Sequence, residues 1–258
     1  MRCSAMLTRV LFILSKYFAF LRFVLKRKDA TLLVNGKPYY IPNPNGVGIL
    51  MKTWVFSQSI STILASIDLY VDVGAHFGDN ILCVKYINPA VAILAFEPSP
   101  ISATYLKKNI RRYNDVALYE VALGAADSRQ EIHLDTQHLD TASLNEHATY
   151  LNLNSKRPLE QATIQVKPLD SFIKHLHGKK KVYLKIDVET FEEEVLKGGE
   201  SFLKQIKYLE IEWSQTKQKP LSKCFSYIHS PFRVLSCTIQ THAHVKDVHL
   251  VNMLLELI

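Results

Sequence analysis

Four cysteines in 258 residues, Cys3, Cys83, Cys224 and Cys237, stand far apart and form no Cys-x-x-Cys pair. That scatter excludes a zinc knuckle and a disulfide framework, and it fits a reducing, cytoplasmic setting with no metal site. Glycine and proline are scarce, at 9 and 10 residues, which excludes a collagen-like or low-complexity chain. No segment repeats, so a solenoid is excluded. No Gly-x-Gly-x-x-Gly run occurs, which removes the fingerprint of a nicotinamide dinucleotide site. No apolar run reaches the roughly 18 residues of a spanning helix, because Arg9, Lys16 and Arg22 interrupt the one greasy stretch. That stretch also lacks the small-residue cleavage site of a signal peptide.

Acids are absent from residues 1 to 28, which carry Arg2, Arg9, Lys16, Arg22, Lys26, Arg27 and Lys28. These seven account for the whole net charge of +7, and the remaining 24 bases meet 24 acids. The basicity therefore belongs to an arm. A neutral body without basic stretches interleaved with aromatics argues against a nucleic-acid groove. Leu7, Val10, Leu11, Leu14, Phe18, Leu21 and Leu25 follow helical spacing and share one side. The arm reads either as a basic amphipathic helix lying on an anionic membrane, at its inner face, or as one packed against the domain or a partner.

What remains is one globular domain. Residues 29 to 66 read as a hairpin and a helix that cap it, and residues 67 to 258 as its body. Asn35-Gly36 between two apolar runs predicts a β-hairpin over Thr31–Ile41. A helix is expected over Ile49–Ala65. From Leu69 onward strands and helices alternate: strands at Leu69–Val73, Ala92–Phe96, Val116–Leu123, Val182–Asp187 and Tyr208–Trp213. Ser99 and Pro100 open a helix running to Arg112, and Gly198-Gly199 reads as a helix stop. Alternation of this kind predicts a doubly wound, mostly parallel α/β sheet. Phe232–Ile239 and Val248–Leu257 are joined by too few residues for a crossover helix, so they must form a C-terminal antiparallel hairpin. Residues 125 to 165 are expected to hold one short strand near Glu131–Leu134 and otherwise loop.

The densest chemical signal runs from Val71 to Gly78. Gly74 permits a tight turn as the strand ends, and Gly78 lets a helix begin against a ligand with free N–H groups aimed at an anion such as a carboxylate. Asp72 would then meet the ligand's α-amino cation. Glu97, 25 positions on at the end of the next strand, suits a pair of ribose hydroxyls. Glu192, Glu193 and Glu194 follow the fourth strand and read as acids offsetting a helix dipole. Asp187 ends a buried strand at the expected site and is the candidate general base, with Glu189 beside it and His76 as the second candidate base. Glu210 and Glu212 alternate on the fifth strand, so both face one surface, and Glu212 would line an acceptor pocket. His242 and His244, with His249 nearby, read as a solvated hairpin tip.

Taken together the motifs resemble the FkbM-type methyltransferases. The resemblance runs from Tyr70 to Trp213 through Asp72–Gly78, Ala95–Pro98, Val121–Gly124, Val166–Asp170, Lys185–Glu189 and Val195–Gly198. It implies a seven-stranded class I, Rossmann-like fold using S-adenosyl-L-methionine, with O-methylation of a sugar, glycan or polyketide-type acceptor. Carried over residue by residue, the cofactor contacts would be Asp72, Gly74, Ala75, His76, Gly78, Asn80, Glu97, Pro98, Ala122 and Asp187. The acceptor side would hold Asp187 and Glu189. Two departures stand out: His76-Phe77 replaces the family's usual Asn-Ile, and Thr190-Phe191 replaces Gly-Ala after the motif glutamate. The second puts bulk beside the expected acceptor pocket. It leaves open an alternative in which the chain is a non-catalytic module binding cofactor or glycan.

Overall fold

A computed structural model describes residues 30–34, 37–42, 45–134, 160–241 and 249–258. The basic arm and the His242 and His244 tip lie outside them. Among the described residues no helix is long and apolar enough to cross a membrane.

The chain opens with the expected hairpin, β1 (Ala30–Val34) and β2 (Lys37–Ile41), paired antiparallel from Ala30 opposite Ile41. Helix α1 (Asn45–Ser59) and the short α2 (Ser61–Leu64) follow; the single helix read from the sequence is broken at Ile60. The body then alternates through β3 (Leu69–Val73), α3 (Asp79–Ile87), β4 (Ala92–Phe96), α4 (Pro100–Ile110) and β5 (Val116–Tyr119). Ser99 caps α4 as expected, its side chain accepting from the Ser102 N–H at 3.3 Å with Pro100 at the first position.

The third strand departs from the sequence reading. Residues Val116–Leu123 divide into β5, which joins the central sheet, and β6 (Ala122–Leu123), which leaves it. Strand β6 pairs parallel with β8 (Glu160–Lys167), and β8 pairs antiparallel with β7 (Ser128–Leu134), making a separate three-stranded sheet. The β7 strand was anticipated near Glu131. Strand β8, Glu-Gln-Ala-Thr-Ile-Gln-Val-Lys, was not, because only Ile164 and Val166 are buried and the rest gives little apolar alternation.

A 3-10 helix (Leu169–Leu176) leads to β9 (Val182–Ile186), α5 (Glu192–Lys197), α6 (Glu200–Leu203), β10 (Tyr208–Gln215), α7 (Leu221–Phe225), β11 (Phe232–Thr241) and β12 (His249–Leu257). The central sheet has the order β11-β12-β10-β9-β3-β4-β5, parallel except that β12 runs antiparallel to both β10 and β11. The C-terminal hairpin is therefore present as predicted. Gly198 is not a left-handed helix stop (φ −79°). Its missing side chain serves contact instead, since a Cβ there would lie 1.9 Å from the Gly124 carbonyl oxygen.

Both sheet faces are covered. Leu69, Val71, Leu184, Ile186, Ile211 and Trp213 pack on one side, and Tyr70, Ile93, Tyr183, Ile81 and Leu106 on the other. The N-terminal hairpin is fastened to the body by Asn109 of α4. Its side chain accepts from the Tyr40 N–H (2.7 Å) and donates to the carbonyls of Tyr40 (2.9 Å) and Phe77 (2.8 Å).

Candidate active site

The carboxyl ends of β3, β4, β9 and β10 open into one cleft of about 580 Å³. Crevices at such strand ends are where doubly wound sheets bind ligands. Backbone bonds clamp these ends together: the N–H groups of Gly74 and Ala75 both donate to the Phe96 carbonyl at 3.0 Å, and the Asp187 N–H donates to that of Val73 at 3.0 Å. Gly74, at φ +85°, has no room for a side chain, because the Asp187 carbonyl oxygen would lie 1.9 Å from its Cβ.

Of the residues expected from the sequence, Gly74, His76, Asn80, Glu97, Pro98, Ala122, Asp187, Glu189 and Glu212 line the cleft. Three others stand elsewhere. Ala75 is sealed in the core with Ile81 and Leu106. Gly78 takes the left-handed conformation (φ +86°) that starts α3, and a Cβ on it would meet Leu106 at 2.8 Å, so its smallness serves helix packing. Asp72 is fully buried and does not line the cleft, whereas Lys185, opposite it in the β3–β9 register, does.

Asp72 is an unusual group. Neither carboxylate oxygen has a hydrogen-bond partner among the described residues. Burial pushes its pKa up to about 8, against the pull of the Lys185 ammonium. Glu97 is more settled: one oxygen accepts from the His76 N–H (2.7 Å) and the other from the Ser99 N–H (2.8 Å). Burial still moves its pKa upward. Each of its oxygens keeps a lone pair for a hydroxyl.

His76 holds a positive φ of 51°, which Asn, the family's usual residue here, tolerates more readily. Its Nδ1 lies 3.8 Å from Asp79 Oδ1, and Asp79 in turn accepts from the Thr53 hydroxyl of α1 at 2.7 Å. Burial alone would raise the Asp79 pKa, but His76 and Thr53 together hold it below the usual value.

On the far side, Lys185 Nζ donates to Asp187 Oδ2 at 2.8 Å. Burial disfavours this ammonium, but Asp187, Asp72 and Glu210 outweigh that and hold its pKa above the usual lysine value. Asp187, Glu189 and Glu212 bring carboxylate oxygens within 4.8 Å of one another. They are the one described trio of acids close enough to share a cation, and the cation beside them is the Lys185 ammonium. Burial, then the facing Asp187 charge, raises the Glu212 pKa to about 8.

Of Thr190-Phe191, only Phe191 lines the cleft. The Phe191 ring turns toward Gly124, where a Cβ would lie 3.1 Å from its Cε1, and so thickens the wall near Ala122 and Leu123. Thr190 sits at φ +81°, strained for a β-branched residue. Its backbone N–H donates to Glu192 (2.6 Å), while Lys219 donates to the Thr190 carbonyl (3.0 Å) and pairs with the buried Glu192.

Sequence reasoning did not single out Lys185, Thr53, Asp79, Asn252 or Thr238 as site residues. Lys185 carried a readable signal, a lone cation two places before Asp187. The others reach the cleft only through helix and strand placement.

The methyltransferase FkbM domain matches residues 72–245. The chain belongs to the FkbM methyltransferase family, whose members use S-adenosylmethionine. No curated protein matches it in sequence. Among solved structures it is similar to a putative transferase from Pyrococcus horikoshii (11% identity, TM-score 0.47, covering 89% of this chain and 72% of that one). It is also similar to Trm5b from Pyrococcus abyssi (9%, 0.48, 89% and 56%) and to M. jannaschii TYW2 in complex with AdoMet (12%, 0.44, 90% and 88%).

Proposed function

We propose that this methyltransferase transfers the methyl group of S-adenosylmethionine to a hydroxyl of a sugar, glycan or related polyhydroxylated acceptor. The observation that carries the reading is a single cleft with two chemically different halves. One half, around Gly74, His76, Glu97 and Ala122, suits a nucleoside carrying an amino acid. The other, around Asp187, Glu212 and the β11–β12 strands, is walled by hydrogen-bonding side chains.

The residues present fit the cofactor. Asp72 stands behind the cleft wall in this structure, and its two orphaned carboxylate oxygens are what an α-ammonium would satisfy if it reached past Gly74, because a buried polar group needs a partner. Glu97 would hold the ribose hydroxyls, Gly74 would admit the ligand against bare backbone, and Ala122 would face the adenine. When bound, the cofactor supplies a methyl group made electrophilic by its sulfonium. The chain's task is then to align an acceptor oxygen at near-attack distance, keep water out and receive a proton.

The test is incubation with S-adenosylmethionine and an extract of lipid-linked and free glycans, followed by mass spectrometry. Gain of one CH₂ on a glycan, together with release of S-adenosylhomocysteine, is the expected result. Cofactor binding without release, under every acceptor tried, would favour the non-catalytic module instead.

A further inference from the structure

The acceptor half of the cleft has an order that the sequence does not display. Glu212 on β10 stands directly opposite Asn252 on β12, and Asn252 directly opposite Thr238 on β11. Strand neighbours are about 4.8 Å apart, so this row spans roughly 10 Å of sheet surface. Ser236 and Gln240, two residues either side of Thr238, line the same cleft, as the period-2 alternation of a strand requires. The row runs from a half-buried acid to the exposed edge strand. It offers a carboxylate, an amide and a hydroxyl in line: the carboxylate accepts hydrogen bonds, and the amide and hydroxyl both give and take them.

The two acids at its inner end are not equivalent. Asp187 is tied to the Lys185 ammonium at 2.8 Å, so its carboxylate is already engaged by a cation. Glu212 has Asp187 and Glu189 beside it and no ion pair of its own among those described. We propose that the Glu212–Asn252–Thr238 row is the acceptor subsite, binding a vicinal diol laid across the strands, and that Glu212 receives the proton of the attacking hydroxyl. This rests on the methyltransferase reading above.

The step balances without further reagents. The acceptor oxygen forms the new C–O bond as the S–CH₃ bond breaks, and that electron pair stays on sulfur, leaving a neutral thioether. The hydroxyl proton passes to the Glu212 carboxylate and then to solvent. Asp187, held by Lys185 at 2.8 Å, orients the diol. Glu212, with no ion pair of its own among those described and with burial and Asp187 raising its affinity for a proton, is the acid free to take the proton.

The experiment uses the full chain with S-adenosylhomocysteine and, as probes, methyl α-mannopyranoside, methyl β-galactopyranoside and the single-hydroxyl cyclohexanol. Binding is read by saturation-transfer NMR and calorimetry, and turnover by S-adenosylhomocysteine release. At least one glycoside is expected to bind the S-adenosylhomocysteine complex, with cyclohexanol silent. Thr238→Val and Asn252→Leu should weaken that glycoside about fivefold or more, with nucleoside affinity unchanged, as expected when a hydrogen-bond partner of the ligand is lost. Glu212→Gln should bind both ligands like wild type yet lose turnover roughly 100-fold, the scale of a missing general base.

Nucleoside binding with no glycoside binding overturns the subsite and leaves the methyltransferase reading standing. Failure to bind S-adenosylhomocysteine overturns the underlying reading itself. Full turnover in Glu212→Gln, with loss in Asp187→Asn, returns the proton to Asp187. Unfolding is controlled by the nucleoside affinity of each variant.

Discussion

A Cβ placed on Gly74 would lie 1.9 Å from the carbonyl oxygen of Asp187. The turn that ends β3 and the strand end that carries the acceptor-side acid thus touch backbone to backbone. The two halves of the cleft cannot move apart independently, since the Asp187 N–H also donates to Val73 at 3.0 Å. Gly74→Ala must push β9 away or flip the turn from φ +85°. The expected cost is about 2–3 kcal/mol of stability, from a forbidden dihedral combined with a clash that no flexible side chain can relieve. Urea unfolding reads the stability, and calorimetry with S-adenosylhomocysteine should show binding lost in whatever protein remains folded. An Ala variant that binds normally would separate the turn from the cofactor.

Thr190 stands at φ +81° where the family usually has glycine. Strain of this kind costs roughly 1–3 kcal/mol, while glycine frees the unfolded chain by about 0.4–1 kcal/mol. The strain is the larger, so Thr190→Gly should stabilise by about 1 kcal/mol, or some 2–4 °C in thermal midpoint. Phe191→Ala should act in the opposite direction, because its ring packs against Gly124 and truncation gives up about 1–2 kcal/mol of burial. Thermal melts of both single variants decide the point. A destabilised Thr190→Gly would mean that the Glu192–Lys219 network depends on the threonine itself.

Asn109 makes three hydrogen bonds to the N-terminal hairpin and the β3–α3 turn. Asn109→Leu keeps the branched shape, with somewhat more bulk, but leaves the Tyr40 N–H and two carbonyls without it. A loss of about 2–4 kcal/mol is expected, each buried orphan costing roughly 1–3 kcal/mol. Hydrogen exchange should show β1 and β2 opening before the central sheet. Uniform loss of protection across the sheet would show that the hairpin is part of the cooperative core.

Most of the fold was legible because it is written locally. Leu69–Val73 and Val182–Ile186 are continuous apolar strands, Ser99-Pro100 is a helix start, and the short link between the last two strands forbids a crossover. Strand β8 was not legible: its pairing with β6 and β7 uses backbone bonds that a mostly polar sequence does not advertise. The site divides in the same way. Gly74, Glu97 and Asp187 announce themselves at strand ends. Asn252 and Thr238 become site residues only because β12 and β11 lie beside β10 in one particular register, a long-range fact. Gly78 and Gly198 carried turn-like signals whose physical reasons, contacts with Leu106 and with Gly124, are tertiary.

Asp72 links stability, pH and ligand. Its pKa is raised from an ordinary carboxyl value to about 8, so the folded chain binds this proton more tightly than the unfolded one. The contribution is therefore fully present below the unfolded pKa near 4 and is lost as pH rises toward 8, at up to about 1.4 kcal/mol per pH unit. Asp72→Asn removes the penalty of ionising a buried acid. Without ligand it should unfold at higher urea than wild type at pH 8, by a much smaller margin at pH 5, and at nearly the same urea only below pH 4. Ligand reverses the preference: an α-ammonium beside Asp72 favours the ionised form, so wild-type affinity for S-adenosylhomocysteine should strengthen from pH 6 to pH 8, while that of Asp72→Asn stays weak and flat. Calorimetry at the two pH values reads this directly. Parallel pH dependence in the two proteins would show that the cofactor's amino group is held elsewhere, with Lys185 and Asp187 the charged pair nearest to hand.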